Sequence, residues 1–370
     1  YYPVPGHIIN KENTLTSESG YYYPNEKVSY FKKNVKLVNK DYIIRCDTLK
    51  YNNATSVAYF LGATSIRKIA DSTTITCEYG WYDKQNGNSQ FSRCVRVVSP
   101  GQTLDCDSLT WDNQEERGNA YRDILVIDST NKLTVQGEFG FYDRKKQQTM
   151  VTRRALATKV SDKDTMLMHG DTLYYYADTV PGKKLLSYRD VRIFKNDMQA
   201  VCDSFAYTFK DSVMRFFSHP VIWLDSTQLT ADSIYISFRN NKPDELHMRR
   251  NSFIASKETS TWFNQIKGRD VNGFFKNDEL RLVKVLKDGE CVYFVKDDSS
   301  AFIGVNKIKC DRMDILLEEG KVSSVNYIGQ PDGIVYPVSE LTPAELLLKG
   351  FNWLEKRRPK KKTDLLTIKL

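Results

Sequence analysis

The feature that most restricts the fold is an internal repeat. Sliding the 370-residue sequence by sixty positions superimposes Glu18, Glu78 and Glu138, then Gly20, Gly80 and Gly140. The aromatics Tyr21, Trp81 and Phe141 follow, and after them Tyr22, Tyr82 and Tyr142. The same shift lays Cys46-Asp47-Thr48-Leu49-Lys50-Tyr51 over Cys106-Asp107-Ser108-Leu109-Thr110-Trp111. Both halves of the sixty share one grammar: an apolar residue, any residue, a small residue, then an acid. In its Glu form it reads Leu15-x-Ser17-Glu18, Ile75-x-Cys77-Glu78 and Val135-x-Gly137-Glu138. In its Asp form it ends at Asp47, Asp107, Asp171, Asp203, Asp232 and Asp311, behind Cys46, Cys106, Gly170, Cys202, Ala231 and Cys310. A degenerate copy, Ile266-x-Gly268-Arg269, sits in the long gap before Asp311. The unit is therefore about thirty residues long, repeated some ten times, and such units are stable only when neighbours cover them.

Each unit reads as strand. Tyr42, Ile44 and Cys46 alternate onto one face, followed by Leu49 and Tyr51, and the odd step from Cys46 to Leu49 breaks period-two parity. The same break separates Cys106 from Leu109, Gly170 from Leu173, Cys202 from Phe205, Ala231 from Ile234 and Cys310 from Met313. A break that recurs at one point of every unit predicts a bulged corner, with the small residue inside the bend. The acid is expected to turn outward there and accept local backbone N–H groups. Turn signals such as Asp83-Lys84-Gln85-Asn86-Gly87-Asn88 lie between the strands. Helical periodicity is confined to the end, where Thr342-Pro343-Ala344-Glu345 has the pattern of a helix start. The expected organisation is a lead-in over residues 1–14, one continuous β array over 15–338, a short helix over 339–355 and a loose basic tail over 356–370.

Charge and composition exclude several functions. Of the formal charge of +8, six positive charges lie in Lys356-Arg357-Arg358-Pro359-Lys360-Lys361-Lys362, which leaves a body too near neutral for a nucleic-acid groove. Seven cysteines without a CxxC pair and four scattered histidines predict no metal site. Cys46, Cys106, Cys202 and Cys310 fill the slot held elsewhere by Gly170 and Ala231, so they read as small buried side chains, with a disulfide ladder as the alternative. Nucleophile, dinucleotide and phosphate-loop motifs are missing, and a carboxylate repeated nine times is structural where an active site needs one constellation. No catalytic residue and no cofactor are expected. What remains is an apolar inner surface, either closed as core or splayed along one edge into a groove.

The recurring apolar-x-small-Asp-x-apolar-x-aromatic cassette resembles the OstA-like family, the LptA-type β-jellyroll proteins of lipopolysaccharide transport. Asn34-Val35-Lys36-Leu37 precedes one copy, and Asp190-Val191-Arg192-Ile193 precedes Cys202-Asp203-Ser204-Phe205-Ala206-Tyr207, as the family pattern has it. The resemblance covers roughly residues 15–337. The chain departs from it in being over twice as long as a minimal member, as the Bacteroidetes type is, and in placing Cys where Ala is usual. The resemblance implies an extended all-β jellyroll without enzymatic activity, placed in the periplasm or at the outer membrane. It implies lipopolysaccharide as ligand, through its acyl chains, and other transport proteins as partners by edge-strand addition, with head-to-tail self-association on the same principle.

Inward parity selects the lipid-facing candidates: Ile44, Leu49, Tyr51, Leu104, Leu109, Trp111, Met168, Leu173, Tyr175, Met198, Phe205, Tyr207, Leu229, Ile234, Ile308 and Met313. A charge placed at Phe205 or Trp111 is expected to abolish lipid binding with the fold intact wherever the groove is open, and to unfold the chain where it is closed. The competing architecture is a β-solenoid with parallel strands and a polysaccharide-binding face. A third reading, a carbohydrate-active enzyme, requires a clustered carboxylate pair that the even spread of acids does not offer.

Overall fold

A computed structural model describes residues 1–9, 13–160, 164–177, 182–240, 242–297, 299–318 and 321–367. Among these, 27 strands are joined by tight turns, and the chain gathers into two compact units. The first comprises residues 1–165 and 172–179, the second 166–171 and 180–370. Every described pairing is antiparallel, between strands that are close in sequence, so the parallel solenoid is not this fold. The chain is an all-β jellyroll-type array.

The parity break is a corner, as expected. Along the first unit the ladder register shifts between Lys32 and Val35, Leu61 and Thr64, Ser92 and Val95, and Tyr121 and Ile124. The corner has a second half that the repeat grammar did not reveal. Consecutive left-handed residues bend every second strand: Lys33-Asn34, Arg93-Cys94, Arg122-Asp123, Arg153-Arg154, Arg189-Asp190 and Arg250-Asn251, with Gly62 at the equivalent point of one strand. Left-handed backbone costs a non-glycine residue about 1–2 kcal/mol, so each pair needs compensation.

The acids supply part of it. Arg122 Nη2 donates to Asp107 at 2.5 Å, Asn34 Nδ2 to Glu18 at 2.6 Å, and Asn251 Nδ2 to Asp232 at 3.0 Å. Arg250 Nε lies 3.4 Å from the same Asp232 carboxylate. The acids do turn outward, but at these corners they accept side-chain donors of the next strand, because the bulge already places that strand's left-handed residues beside them. The backbone acceptance expected for the repeat acids occurs instead next to the degenerate copy, where Asp270 Oδ1 accepts the Arg250 N–H at 3.0 Å. The inner slot is as tight as its small residues suggest: a Cβ at Gly137 would lie 2.4 Å from Val151, and one at Gly170 2.1 Å from the Ser187 hydroxyl.

In the second unit the outer face of one sheet is apolar and is covered by the C-terminal segment. Val292, Phe294 and Val305 pack with Leu346, Leu348 and Val338; Val201, Val221 and Trp223 pack against Leu354. Phe351 and Trp353 sit over Phe263, with centroids 5.0 and 4.9 Å away. Buried glutamines hold this strap by its backbone. Gln265 donates to Leu346 O at 2.8 Å and accepts from Leu348 N at 2.9 Å. Gln228 donates to Asn352 O at 2.7 Å and accepts from Leu354 N at 2.7 Å.

These contacts correct two expectations. The helix start at Thr342 forms its cap, with Glu345 accepting from Thr342 N at 2.9 Å and Thr342 Oγ1 at 2.7 Å, but no α-helix follows over 339–355, which overlaps only the ends of the short 3-10 turns Val338–Glu340 and Glu355–Arg357. Gln265 takes the carbonyl and amide that the next turn would use, and Gly350 adopts a φ of +95°. The short C-terminal helix is instead Asp364–Thr367. Nor is the basic stretch loose as far as it is described. Arg358 donates to Gln199 at 2.8 Å, Arg192 donates to Leu365 O at 3.0 Å, and Leu365 is fully buried. Residues 368–370 of that tail lie outside the described residues.

Gln228→Ala and Gln265→Ala each strand two strap backbone groups in a buried place, at a cost of about 1–3 kcal/mol. Chemical denaturation should show that loss, and limited proteolysis should cut within residues 338–367 sooner than in the parent. Unchanged stability and cleavage would mean that the strap is held by its apolar packing alone.

Candidate functional site: an open apolar mouth in the first unit

The register of the first unit sorts its inner side chains into rows that run across the strands. One row is wholly aliphatic: Leu37, Ile44, Ile66, Ile75, Val97, Leu104, Val126 and Val135 follow one another as Cα partners. At the corner lie Val35, Cys46, Thr64, Cys77, Val95, Cys106 and Ile124, all buried. Beyond the corner runs Phe31, Leu49, Phe60, Gly80, Phe91, Leu109, Ala120 and Gly140. The last row alternates aromatic and small residues: Tyr51, Ala58, Tyr82, Ser89, Trp111, Gly118 and Tyr142. Gly118 lets the Trp111 ring lie flat, since a Cβ there would sit 2.7 Å from it, and Trp111 stacks on Tyr142 at 6.2 Å.

The aliphatic and aromatic rows bound the candidate mouth and pack in part against the buried core between them. Ile44, Ile75, Leu104, Val126 and Val135 on one rim are only half-buried, as are Tyr51, Tyr82, Trp111 and Tyr142 on the other. Neither rim carries a charge. The row between them is packed: a Cβ at Gly80 would lie 2.8 Å from Phe91, one at Gly140 3.2 Å from Ile124, and Leu49, Phe60, Phe91 and Ala120 are buried.

The second unit shows the alternative. Its equivalent row is Phe205, Phe216, Ile234, Met248, Val271, Val285 and Met313, without a glycine. None of these is more than 2% exposed. Phe205 packs edge-on against Phe216 at 5.2 Å. That interior is closed core.

The parity candidates divide accordingly. Ile44, Leu104, Tyr51 and Trp111 lie on the rims, and Leu49 and Leu109 between them. In the first unit Leu173 is buried and Tyr175 half-buried. In the second, Met168, Phe205, Leu229, Ile234 and Met313 are sealed, Met198 is 9% exposed, and Tyr207 and Ile308 are half-buried. Parity read on the Asp form alone misses Ile75, Tyr82, Val135 and Tyr142. They come from the Glu form of the repeat, and the sixty-residue shift that aligns Tyr82 with Tyr142 carries their signal.

All seven cysteines are free, so no disulfide ladder forms. Burial pushes the thiols of Cys46, Cys106 and Cys291 up to about 12 and that of Cys77 to about 11, from an ordinary 9.0. Only Cys94, at an outer corner, is exposed. Among the described residues no group of His, Cys, Asp and Glu could hold a metal ion.

A model of the OstA-like protein family matches residues 1–47. No curated protein matches the chain. Among solved structures, LptH from Pseudomonas aeruginosa is similar; it is described as the LptA-homologous periplasmic component of the lipopolysaccharide transport device. The similarity has 14% identity and a TM-score of 0.27, covering 30% of this chain and 79% of that one.

A thiol reagent should label one cysteine, Cys94, in the native protein and all seven after unfolding. Because the folded state holds the buried thiols neutral, their contribution to stability is complete below about pH 9 and is lost as pH rises toward 11–12. Denaturation midpoints should fall across that window, and Cys46→Ala and Cys106→Ala should flatten the fall; identical slopes in parent and variants would count against it. The family match covers the N-terminal residues 1–47, and the cassette that resembles the same family recurs behind it.

Proposed function

We propose that this chain is a non-enzymatic lipopolysaccharide-binding component of a lipopolysaccharide transport apparatus, working in the periplasm as a carrier or bridge. Its first unit shields acyl chains between the aliphatic and aromatic rims. The observation that carries this reading is the contrast in burial at matching rows: rim positions of the first unit are apolar, uncharged and half-open, while Ala200, Ile222 and Leu229, and Ile236, Leu246, Val283 and Ile315, at the corresponding places in the second unit are buried. Lipopolysaccharide crossing water exposes several acyl chains, and each methylene removed from water is worth about 0.8 kcal/mol. A chain of about a dozen carbons therefore gains on the order of 10 kcal/mol from such a surface without any bond being made or broken.

Open ladder edges supply the means of joining partners. Among the described residues the strand Asp332–Tyr336 pairs only with Phe302–Cys310, and its Ile334 and Val335 are 52% and 62% exposed. The strand Gly6–Ile9 likewise pairs only with Thr14–Ser17, and Ile9 is 74% exposed. Either edge accepts an added strand from another transport protein or a second copy of this chain.

Native mass spectrometry with intact lipopolysaccharide, against the same molecule freed of lipid, tests the reading. Binding should require the acyl chains. Leu104→Asp should weaken it at least tenfold while the thermal midpoint stays near the parent's, whereas Phe205→Asp should unfold the second unit. Photocrosslinkers at positions 104 and 126 should capture lipid, and one at 205 should not. Lipid-independent binding, or binding untouched by Leu104→Asp, would sink the proposal.

A further inference from the structure

The first unit carries a concavity of about 370 Å³, lined mostly by residues of the outward parity but also by Ser89 and Trp111 of the aromatic row. Trp81, Phe141, Thr110, Asn119, Asn88 and Arg117 are among the residues that line it. The register accounts for this arrangement. Trp81, Gln90, Thr110, Asn119 and Phe141 are successive Cα partners across five strands. Four strand steps separate the two rings, a span of roughly 19 Å at ~4.8 Å per step. Polar Gln90, Thr110 and Asn119 lie between the two aromatic residues, and Thr110 and Asn119 line the cleft.

The chemistry of the cleft points to one class of ligand. Trp81 is held by its Nε1 donating to Gln90 Oε1 at 3.2 Å, which fixes the ring and leaves it half-exposed. The side-chain amides of Asn88 and Asn119 make no protein hydrogen bond among the described residues, and each offers donor and acceptor in one plane. Charge argues against an anion. Arg117 is already committed to Asp143 at 3.3 Å and Glu115 at 3.6 Å, and the lining holds the two carboxylates of Asp112 and Glu115 against this one guanidinium.

A sugar meets all of these conditions: its C–H face lies on an aromatic ring, and its hydroxyls both give and take hydrogen bonds. We propose that this outer cleft is a glycan-binding site for a neutral, extended oligosaccharide, with Trp81 and Phe141 as stacking platforms and Asn88 and Asn119 as polar readers. The assignment stands on the cleft alone and holds whether or not the mouth takes acyl chains.

The test is calorimetric titration of the full chain with a lipid-free, dephosphorylated oligosaccharide prepared from lipopolysaccharide, beside its phosphorylated form. Saturable binding to the neutral glycan is expected, with no gain from the phosphates. Trp81→Ala and Phe141→Ala should each weaken it at least tenfold, and Asn119→Ala severalfold, with circular dichroism unchanged. Leu104→Asp, on the other face, should leave it intact, so a failed mouth and a failed cleft give different results. Lack of saturable binding across a panel of neutral oligosaccharides would overturn the proposal, as would binding that survives the Trp81→Ala, Phe141→Ala double variant or tightens with phosphate.

Discussion

Everything in this structure depends on the corner. A strand that crosses it changes which parity faces inward, so a single chain of simple hairpins encloses an interior with no helix to cover it. The geometry is costly, because most of the left-handed residues that make it are not glycine. What sustains it is a division of labour between neighbouring strands. One brings the small residue and the acid, the next brings a left-handed pair such as Arg122-Asp123, and the two join side chain to side chain across the bulge. The regular acids thus belong to the frame, and the interior rows are free to differ from unit to unit.

The two units use that freedom in opposite ways. In the first unit the row beyond the corner includes Gly80, Ala120 and Gly140, with Phe91 and Ile124 packed against the two glycines, and the rows on either side of it stay partly accessible to solvent. Where the row is Phe205, Phe216, Ile234 and Met248, the interior packs shut. The second unit also spends apolar surface on its outside, where the strap closes over Val201, Trp223 and Val292. Sheets buried on both faces read as unbroken apolar runs, and the sequence Met198-Gln199-Ala200-Val201-Cys202, buried throughout, is such a run interrupted by Gln199, which, like Gln228 and Gln265, meets the C-terminal segment.

Much of this was legible in the sequence, and the illegible parts share a cause. The period, the strands, the parity break and the small slot are local patterns, so a single chain displays them. The left-handed pairs leave no such mark, because Arg-Cys, Arg-Asp and Arg-Arg lack the glycine by which such backbone is ordinarily recognised. The strap leaves none because its partners lie far away in the chain: Leu346 answers to Gln265 and Leu365 to Arg192, and a glutamine binding backbone imposes no pattern on the residues it holds. Its own capped turn at Thr342 therefore reads as a helix. Parity tells which side chains face inward, including Leu104 and Phe205 alike, but closure depends on the summed volume of whole rows, which no single position reveals.

The repeat itself bears on how a carrier of this kind would work. A lipid that must be passed along cannot meet one deep pocket, because a trap that binds well releases slowly. The rims of the first unit present Ile44, Ile75, Leu104 and Val135 on one side and Tyr51, Tyr82, Trp111 and Tyr142 on the other, one pair for every two strands. Each step of two strands, roughly 10 Å, would set an acyl chain held there against nearly the same surface it had just left. The burial given up at one rung would be recovered at the next, so displacement along the row would change the free energy little while departure into water would change it greatly. Uniform rungs, which give no position the character of an active site, are what such transport requires.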